Sequence, residues 1–401
     1  MRTLTLRPRE DRRLRAGHPW IFSNEIAPFG QRPPAFEPGE LVYVADAHGR
    51  RLGVAYYNPH TLIAARLLVR DGRPIDREFF LERVRAALAL RERHFPGQRV
   101  YRLVFGEADG LPGLVVDRYG DVLVVEPQTA GMERLLPLAL EALETLLAPA
   151  GIVIRRDAAG RRLEGLPLAD PEVRGRVETP LLVELGGLVL EVDPLRGQKT
   201  GFFLDQRVNY GRVDAVAAGG RVLDVFCYGG AFGLRAARAG AREVVLVDSS
   251  AAALAAARRN AERNGLLERC RFEQADAFDY LTQADARGER FDLVILDPPA
   301  FARSRKQVAG ARRGYKEVNR RAFRLLAPGG YLLTCSCSYH IDRETFRDIV
   351  RDAAADAGRS AVIVESGGQA PDHPVLLGCP ETDYLKCLLV AVRDGPGGAA
   401  P

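Results

Sequence analysis

Two thiols, Cys335 and Cys337, close an apolar, strand-like stretch of the chain. Side chains two residues apart on a strand project from the same face of a sheet. A free cysteine is most often a small buried hydrophobic residue, and this interpretation suits Cys270, Cys387 and Cys335. Cys337 stands at the end of the stretch between two serines. It is therefore the better candidate for a nucleophilic thiolate.

An acidic residue followed by two prolines stands at the end of the strand-like stretch that comes before the Cys335–Cys337 stretch in the sequence. Asp297 is succeeded by Pro298 and Pro299, which fix an extended backbone, and then by Phe301. This pattern predicts a carboxyl group held at a sheet edge to grip a planar, hydrogen-bonding substrate on which Phe301 can stack. If the two strands lie in one parallel sheet, Asp297 faces Cys337 across the crevice where α/β proteins bind ligands.

The stretch 302–315 is rich in basic side chains. We interpret it as an arm that contacts phosphate groups, and a solvated loop is the alternative interpretation. Its candidate contact residues are Arg303, Arg305, Lys306 and Arg313.

A third group of residues has the pattern of a nucleoside-binding site. Asp224 lies in a strand-like stretch that ends in a Gly-Gly turn, and Asp248 closes the next such stretch, 24 residues after Asp224. Glycines let a ligand approach the backbone closely, and an acid at that distance can bind both hydroxyls of a ribose. Neither GxGxxG nor GxxxxGK[ST] occurs, which argues against nicotinamide cofactors and ATP.

Asp276, with Ala277 and Phe278 after it, follows the third strand-like stretch. Such an acid can bond an adenine amino group while the apolar side chain covers the ring, although alone it would be interpreted as a helix N-cap. Together with Asp224 and Asp248 it favours a bound nucleoside. The cofactor-binding candidates of this region are Asp224, Phe226, Cys227, Tyr228, Gly229, Asp248, Ser249, Asp276, Ala277, Phe278 and Asp297.

The elements that must position these residues alternate between apolar strands and helical patterns, a helix over 231–239 among them. This alternation predicts an α/β domain over 189–393, with a mostly parallel sheet and helices on both faces. Its strands are predicted at 222–226, 244–247, 270–273, 291–296, 331–336, 361–365 and 384–392.

Two further domains are predicted upstream. Residues 1–72 have short strands at 39–45, 51–57 and 62–69 separated by turn residues, which is typical of a small β-barrel. Residues 73–188 are predicted as a central α+β domain with helices over 77–93 and 132–147. The last segment, 394–401, is rich in Gly, Pro and Ala and is predicted to be a disordered tail.

Composition sets the class and the compartment. The 401 residues are 47% hydrophobic and 27% charged, as in an ordinary soluble protein, and no apolar run approaches the roughly 20 residues of a membrane span. The first residues lack a signal-peptide core, and the six cysteines form neither a disulfide framework nor a zinc-binding spacing. We therefore expect a cytoplasmic protein with no metal site and no membrane partner.

The charge is unevenly distributed. The formal net charge is +5, and residues 1–75, with 12 basic and 7 acidic side chains, carry all of this excess. A basic surface attracts polyphosphate backbones with little regard to sequence. The N-terminal domain is therefore a candidate for electrostatic capture of a nucleic acid, with a solvated charged face as the equally good alternative.

Taken together, these motifs resemble those of the bacterial 23S ribosomal RNA cytosine-C5 methyltransferases, which carry an N-terminal PUA domain and use S-adenosylmethionine. Two departures are visible: the glycine loop reads Cys-Tyr-Gly-Gly-Ala-Phe where the family more often has Ser-Tyr-Thr-Gly-Gly-Phe, and Tyr339 stands where a small residue is common. The stretches that carry the resemblance are 14–22, 106–114, 199–207, 297–301, 313–316, 336–338, 372–375 and 384–386.

The resemblance implies a Rossmann-like, seven-stranded methyltransferase domain whose last strand is antiparallel, behind a PUA-type RNA-binding barrel. It also implies 23S ribosomal RNA as partner and 5-methylcytosine as product. Four residues would help to close the cofactor site: Lys199, Thr200, Gln206 and Arg207. The RNA-binding candidates, with those of the basic stretch and Phe301, are Arg12, Arg13, Arg15, His18 and Trp20.

The chemistry of this reaction explains why a thiol and an acid are needed. Carbon 5 of cytosine becomes nucleophilic when a thiolate, that of Cys337, adds to carbon 6, and Asp297 would hold or protonate ring nitrogen 3. Some related enzymes place a second cysteine beside the acid, but here Pro298 and Pro299 stand there. The base that removes the carbon 5 proton is not identified by the sequence.

Alternatives stay open at this point. One is an N-methyltransferase acting on a purine, which needs no thiol, and another is a non-catalytic RNA-binding assembly factor. A small-molecule methyltransferase would leave the basic N-terminal domain unexplained. The base must leave its stack, so RNA not yet buried in the assembled subunit is the expected substrate. The nucleotide modified, the domain orientation and the oligomeric state, a homodimer included, are not determined.

Overall fold

The computed structural model describes residues 1–29, 36–302 and 304–393, without the side chain of residue 305. The predictions for Arg303, for the side chain of Arg305 and for the tail 394–401 therefore lie outside the described residues. The chain forms two compact units. The first unit contains residues 1–181, 192–204 and 371–382, and the second contains 182–191, 205–370 and the described residues from 383 onward.

The first unit begins with a five-stranded sheet in the order β1-β3-β4-β5-β2, in which β1 and β3 are parallel and the other neighbours antiparallel. The amide of Ala27 donates to the carbonyl of Thr5, and that of Arg7 to Glu25, so hydrogen bonds also join segments beside the two outer strands. The elements are β1 (Arg2–Thr5), α1 (Arg12–Arg15), β2 (Trp20–Phe22), β3 (Glu40–Ala45), β4 (Arg51–Tyr57) and β5 (Ile63–Val69).

A second five-stranded sheet in the first unit, with two long helices, has a hydrophobic core of its own. Asp76 and Thr129 cap these helices by accepting hydrogen bonds from backbone amides of the first turn. The strand order is β10-β9-β8-β7-β6. The elements are α2 (Arg77–His94), β6 (Val100–Phe105), β7 (Leu114–Tyr119), β8 (Val122–Pro127), α3 (Ala130–Leu147), β9 (Gly151–Arg156) and β10 (Ala169–Gly175).

Two short strands, β11 (Leu181–Leu185) and β12 (Leu188–Val192), then pair with each other. The two residues between them, Gly186 and Gly187, both have a left-handed backbone, which a tight two-residue hairpin turn requires. The predicted domain boundary between residues 188 and 189 falls after the first residue of β12, and it stays a prediction.

The second unit is built on a seven-stranded sheet in the order β15-β14-β13-β16-β17-β19-β18, parallel from β15 to β17, with β19 antiparallel to both neighbours. Its elements are α4 (Asp214–Ala217), β13 (Arg221–Val225), α5 (Ala231–Arg238), β14 (Glu243–Asp248), α6 (Ala251–Arg263), β15 (Cys270–Gln274), α7 (Ala277–Ala286), β16 (Phe291–Leu296), α8 (Val308–Leu325), β17 (Leu326–Ser336), α9 (Arg343–Asp356), β18 (Ser360–Gly367) and β19 (Lys386–Arg393).

The central strands are largely apolar because helices cover both faces of a parallel sheet. Leu223, Val225, Val294 and Leu296 are fully buried, for example. The predicted α/β class and the predicted strands of this sheet are confirmed to within a few residues. The main exception is β17, which begins five residues earlier than predicted.

Two sequence-based expectations need correction. Residues 302–315 were interpreted as a basic arm that contacts phosphate groups, with a solvated loop as the alternative, and no helix was predicted there, but α8 begins at Val308 because its apolar side chains recur at helical spacing and pack on the core. Phe226 does not end a strand but opens the following loop. The segments 192–204 and 371–382 belong to the first unit, and the predicted bounds 189–393 of the methyltransferase domain stay a prediction.

Candidate active site

The loop after β13 is a tight, left-handed turn. Phe226 and Tyr228 have φ angles of 65° and 47°, and Gly230 has 82°. Such backbone costs of order 1–3 kcal/mol at a residue with a side chain, so surrounding contacts must hold it. The Cys227 amide donates to the carbonyl of Val247 (3.1 Å), and Asn260 donates its side-chain amide to the carbonyl of Gly229 (3.0 Å). The loop therefore offers a fixed backbone surface immediately before α5.

Asp224 lies beneath this loop and is only 1% exposed. Its Oδ2 accepts the Gly233 amide (2.8 Å), whereas its Oδ1 is buried with no hydrogen-bond partner among the described residues. Burial raises the pKa of Asp224 to about 8, and the carboxylates of Asp297 and Asp248 add to the effect. An unmatched buried carboxyl oxygen needs an explanation, and a ligand group at this position would provide one.

Asp248 stands at the carboxyl end of β14, next to the loop. Its Oδ2 accepts the Tyr228 amide (2.9 Å) and its Oδ1 accepts the Ser250 amide (2.8 Å). A carboxylate has about four lone-pair positions, so each oxygen can still accept a ligand hydroxyl. Ser249, the next residue, is exposed.

Asp276 is the N-cap of α7, where its Oδ1 accepts the amides of Phe278 and Asp279 (2.8 and 3.2 Å). The cap that the sequence allowed is thus present. Ala277 is buried in this first turn, and Phe278 is partly exposed. A role of these residues toward an adenine ring stays a prediction.

The structure brings Cys337 close to the segment that carries Asp297. The Cys337 Sγ lies 3.9 Å from the carbonyl oxygen of Pro298, and β16 and β17 are parallel neighbours that end at the same edge. Asp297 Oδ1 accepts a hydrogen bond from the Gln206 side chain (2.9 Å). Cys337 is partly exposed, whereas Cys335 is fully buried, and burial raises the pKa of the Cys335 thiol. The accessible thiol therefore lies beside the segment that carries the acid, at the carboxyl edge of the sheet.

The other free cysteines among the described residues do not have the environment of a nucleophile. Burial raises the pKa of Cys270 to about 12 and raises those of Cys227 and Cys379 as well. A thiol with a raised pKa has little thiolate at neutral pH. Cys227 was predicted only to lie by the cofactor, and its burial in the loop is compatible with that.

Lys386 lies in one of the stretches that carry the family resemblance, but the sequence reasoning gave it no role. It is the first residue of β19 and is only 4% exposed, and its ammonium group donates to the carbonyls of Ser338 (2.7 Å) and Tyr384 (2.8 Å). A lysine in an otherwise apolar strand was the available signal. Burial lowers its pKa to about 8, although the nearby Cys337 acts in the opposite direction.

Two buried polar side chains, Asn209 and Gln206, form a chain of hydrogen bonds that leads to Asp297. Asn209 donates to the Gln206 side-chain oxygen (2.6 Å) and to the carbonyl of Gly368 (2.9 Å), so the amide of Gln206 is oriented toward Asp297. Arg207, the neighbour of Gln206, is partly exposed. Asn209 was not predicted, because a single asparagine gives no sequence pattern.

Lys199 and Thr200, predicted to close the cofactor site, belong to the first unit. The Thr200 hydroxyl is buried and donates to Asp117, and the hydroxyl of Tyr119 lies 3.1 Å away. The Lys199 ammonium lies 4.6 Å from the centroid of the Phe203 ring. Thr200 is therefore engaged inside this unit, and a role toward the cofactor stays a prediction for both residues.

The RNA-binding candidates of the first unit fall into two groups. The side chains of Arg12 and Arg15 are exposed, although Arg15 also pairs with Asp11 (2.5 Å) and Asp46 (3.1 Å), and Arg13 pairs with Glu25 (2.8 Å). The polar atoms of the other two candidates are used internally: Trp20 donates to Glu107 (2.8 Å), and His18 lies 3.2 Å from Glu381.

The RNA-binding candidates of the second unit follow Asp297 in the sequence. Lys306 and Arg313 are exposed. The Phe301 ring packs against Tyr315, with ring centroids 4.6 Å apart, and is partly exposed. One face of this ring is thus used inside the protein.

His18, Cys379 and Glu381 form a compact group whose donor atoms lie within 4.8 Å of one another. The backbone amide of Trp20 donates to His18 Nδ1 (3.1 Å), so in the neutral ring the proton sits on Nε2, which points to Glu381. A metal-binding histidine would instead donate its second N–H. We interpret the group as a hydrogen-bonded cluster that holds the segment 371–382 to the N-terminal sheet.

The fold and the site define a class of protein. A mostly parallel sheet with a left-handed glycine loop, an unmatched buried acid and two further acids at its carboxyl edge is the scaffold of an α/β enzyme that binds a nucleoside-containing cofactor. No helix in the described part of the chain is long and apolar enough to cross a membrane.

Comparison with known proteins identifies the class more closely. Residues 4–70 match the family of PUA-like domains, and residues 114–389 match the S-adenosylmethionine-dependent methyltransferase family. A ribosomal RNA large subunit methyltransferase I from Aeromonas salmonicida is 43% identical over 94% of this chain and 96% of its own length. The protein of the same name from Tolumonas auensis is 42% identical over 97% of this chain and 98% of its own.

A putative methyltransferase from Streptococcus mutans has a similar fold, with a TM-score of 0.83 over 98% of this chain and 100% of its own, at 20% identity. The chain belongs to the S-adenosylmethionine-dependent methyltransferase family, and it carries an N-terminal PUA-like domain. Its cofactor is S-adenosylmethionine, and the free oxygen of Asp224, the acid at Asp248 and the fixed loop fit such a ligand.

Proposed function

We propose that this protein methylates carbon 5 of a cytosine in 23S ribosomal RNA. The relatives that match nearly the whole chain are named ribosomal RNA large subunit methyltransferase I. The single observation that carries the choice of target atom is the partly exposed thiol of Cys337 beside the Asp297–Pro298 segment. Methylation of a ring nitrogen would not require a thiol there.

S-adenosylmethionine, when bound, supplies an electrophilic methyl group. The protein makes carbon 5 of cytosine able to accept it: the Cys337 thiolate forms a bond to carbon 6, and the electron pair of the 5,6 double bond becomes available at carbon 5. Asp297 would hold or protonate ring nitrogen 3, which accumulates charge as the sulfur adds. After methylation the carbon 5 proton leaves, the double bond forms again and the thiolate is released.

The residues proposed to hold the cofactor surround the carboxyl edge of β13, β14 and β15. Asp248 would bind the ribose hydroxyls, Asp276 and Phe278 the adenine, and the loop at Tyr228 and Gly229 the remainder of the molecule. Asp224 offers a buried oxygen that has no partner among the described residues. Gln206 and Arg207, with Lys199 and Thr200, are proposed to close the site.

The remainder of the chain would capture RNA. We propose a PUA-like RNA-binding barrel over 1–72, a central domain over 73–188 and a seven-stranded catalytic domain after it. Two separate hydrophobic cores in the first unit support the first division. The target base must leave its stack, so we propose that the substrate is RNA in the cytoplasm before the subunit is fully assembled. Exposed arginines such as Arg12 would contact phosphates.

The test is methyl transfer to unmodified 23S ribosomal RNA, followed by mapping of the product. We expect 5-methylcytosine from the wild type and a loss of at least about a thousandfold in Cys337→Ala, because no other group can replace the nucleophile. Cys335→Ala, which changes the buried neighbouring thiol, is the matched control and should retain most activity. Methylated purine as the product, or an active Cys337→Ala enzyme, would overturn the proposal.

A further inference from the structure

We propose that Lys386 is a positioning residue that stabilises the thiolate of Cys337 by placing its ammonium group beside it. The role in methyl transfer rests on the proposed function. The effect on the thiol does not, because it can be measured without RNA and without cofactor.

Lys386 lies opposite the end of β17, close to residue 337 in the sheet. On the antiparallel pair β17/β19, Lys386 is directly opposite Ser336, and its ammonium group reaches the carbonyl of Ser338 at 2.7 Å. Cys337 is the residue between these two. The lysine side chain therefore runs alongside the backbone of residue 337 and ends where that backbone leaves the sheet.

The ammonium group of Lys386 has more N–H donors than the acceptors to which it is bonded. An ammonium group has three N–H donors. Among the described residues, its hydrogen-bond acceptors are the carbonyls of Ser338 and Tyr384. These account for two donors. The third is available to an anion next to Ser338.

The charge of Lys386 is only partly compensated by its hydrogen bonds. A buried ammonium group is costly unless an anion compensates for it, and two neutral carbonyls do so only in part. Burial and Arg343 lower the pKa of Lys386, and the groups that raise it are, in order of size, Cys337, Asp383 and Asp342. The thiolate is thus the largest of the favourable partners.

The two carboxylates are already engaged elsewhere. Asp383 pairs with Arg343 (2.8 Å), and Asp342 caps α9 by accepting the amide of Thr345 (2.7 Å). Tyr315 is another titratable group that interacts with Cys337, and its hydroxyl lies 2.9 Å from that of Ser338. Burial raises the pKa of Tyr315, so it is a neutral hydroxyl at neutral pH. The charge of the Lys386 ammonium group therefore favours an anionic Cys337.

The proton balance is simple. The Cys337 thiol gives its proton to solvent, and Lys386 remains an ammonium ion throughout. The sulfur then uses its electron pair to bond to carbon 6 and takes that pair back when it leaves. Because the attraction between the two charges is mutual, a thiolate that favours the charged lysine is itself favoured by that lysine.

The experiment measures the alkylation rate of each cysteine by iodoacetamide between pH 6 and 10, using peptide mass spectrometry on the folded wild-type protein. We expect Cys337 to react with a pH midpoint below the ordinary thiol value of about 8.5, and Cys270, also partly exposed, to react much more slowly. A wild-type midpoint for Cys337 at or above the ordinary value would overturn the proposal without any variant.

Two substitutions sharpen this result. Lys386→Met keeps the length of the side chain and removes the charge, and it should slow alkylation of Cys337 at pH 7 by about tenfold, which corresponds to a midpoint raised by about one pH unit. Lys386→Arg keeps the charge and should restore most of the rate. Lys316→Met is the matched control, since Lys316 is a partly exposed lysine paired with Asp356.

Methylation assays separate the two proposals. Lys386→Met should lower kcat more than it raises KM and should recover toward the wild-type rate at high pH, which a merely structural defect would not do. If the folded variant alkylates Cys337 with the wild-type midpoint, the role of Lys386 falls, while the proposed function still stands on Cys337→Ala. If Cys337→Ala still forms 5-methylcytosine, the proposed function fails, whatever the alkylation data show.

Discussion

Buried charges are treated differently in the two units. In the first unit, Arg102 and Asp117 form a two-point ion pair (2.8 and 2.7 Å) that is almost completely buried. In the second unit, Asp224 is equally buried but has one oxygen without a partner in the described chain, and Lys386 is held by carbonyl groups. A matched buried pair stabilises a fold, whereas an unmatched group is ready to interact with something that the protein does not itself supply.

The largest effect is expected from breaking the matched pair. Arg102→Met leaves Asp117 buried without its cation, and we expect the free energy of unfolding to fall by about 3–5 kcal/mol. Burial raises the pKa of Asp117, but Arg102 more than offsets this, so the net direction is downward. The stabilisation is therefore present above the unfolded pKa of about 3.9 and is lost as the pH falls below it.

Chemical denaturation of Arg102→Met at pH 7 and pH 4 measures this. The exposed Arg134→Met is a matched control for the loss of an arginine. A decrease of less than about 1 kcal/mol in the free energy of unfolding would mean that the pair does not stabilise the first unit. The contrast between this matched pair and the unmatched Asp224 would then not hold.

Asp224→Asn should increase the free energy of unfolding at alkaline pH, whereas Arg102→Met should decrease it. The folded pKa of about 8 is higher than the unfolded value, so the protonated carboxyl stabilises the fold at low pH, and this contribution is lost as the pH rises from about 4 to 8. Asparagine mimics the neutral form and cannot ionise. The variant should therefore be more stable than the wild type at pH 8.5, while it binds S-adenosylmethionine about tenfold more weakly.

Thermal unfolding between pH 5 and 8.5, together with calorimetric titration of the cofactor, checks both parts. Asp279→Asn makes the same chemical change at an exposed position of the first turn of α7. Equal pH dependence of stability in wild type and Asp224→Asn would show that Asp224 is not an unmatched buried acid.

A smaller effect is expected at the glycine loop. An added Cβ at Gly230 would lie 3.0 Å from a methyl group of Leu246, on backbone with a φ of 82°. Gly230→Ala should therefore reduce the free energy of unfolding by about 1–3 kcal/mol. Gly229→Ala is the matched control: the nearest atom is 3.7 Å away and the backbone is not left-handed. Equal stability of the two variants by denaturant titration would contradict the description of the loop.

The smallest effects should come from the surface cations. Arg12→Gln in the first unit and Lys306→Gln in the second should each weaken binding of 23S ribosomal RNA by a few-fold and lower the salt dependence by about 0.7 per charge removed. Filter binding at several salt concentrations measures both quantities. If only one variant changes the slope, a single unit contacts the RNA backbone.

Much of the second unit could be predicted because its information is local. Apolar runs with helical patterns between them gave the parallel sheet, and acids at strand ends gave Asp224 and Asp248 as candidates for a cofactor site, a role that stays a prediction. Short elements such as β1, β10 and β12 were missed: β1 and β10 have few apolar residues, and four to seven residues are too few to produce a clear periodicity. The helix α8 was not predicted, since its many basic residues favoured a phosphate-contacting arm and obscured the apolar face.

The amino-acid sequence by itself determined the α/β class, the positions of the main strands and the thiol and acid on which the proposed reaction depends, because each follows from spacing within a few tens of residues. The tertiary structure alone decided which residues far apart in the chain meet. It placed His18 next to Glu381, Gln206 on Asp297 and Lys386 on Ser338. Such contacts depend on strand order and on packing, and neither leaves a pattern in the local sequence.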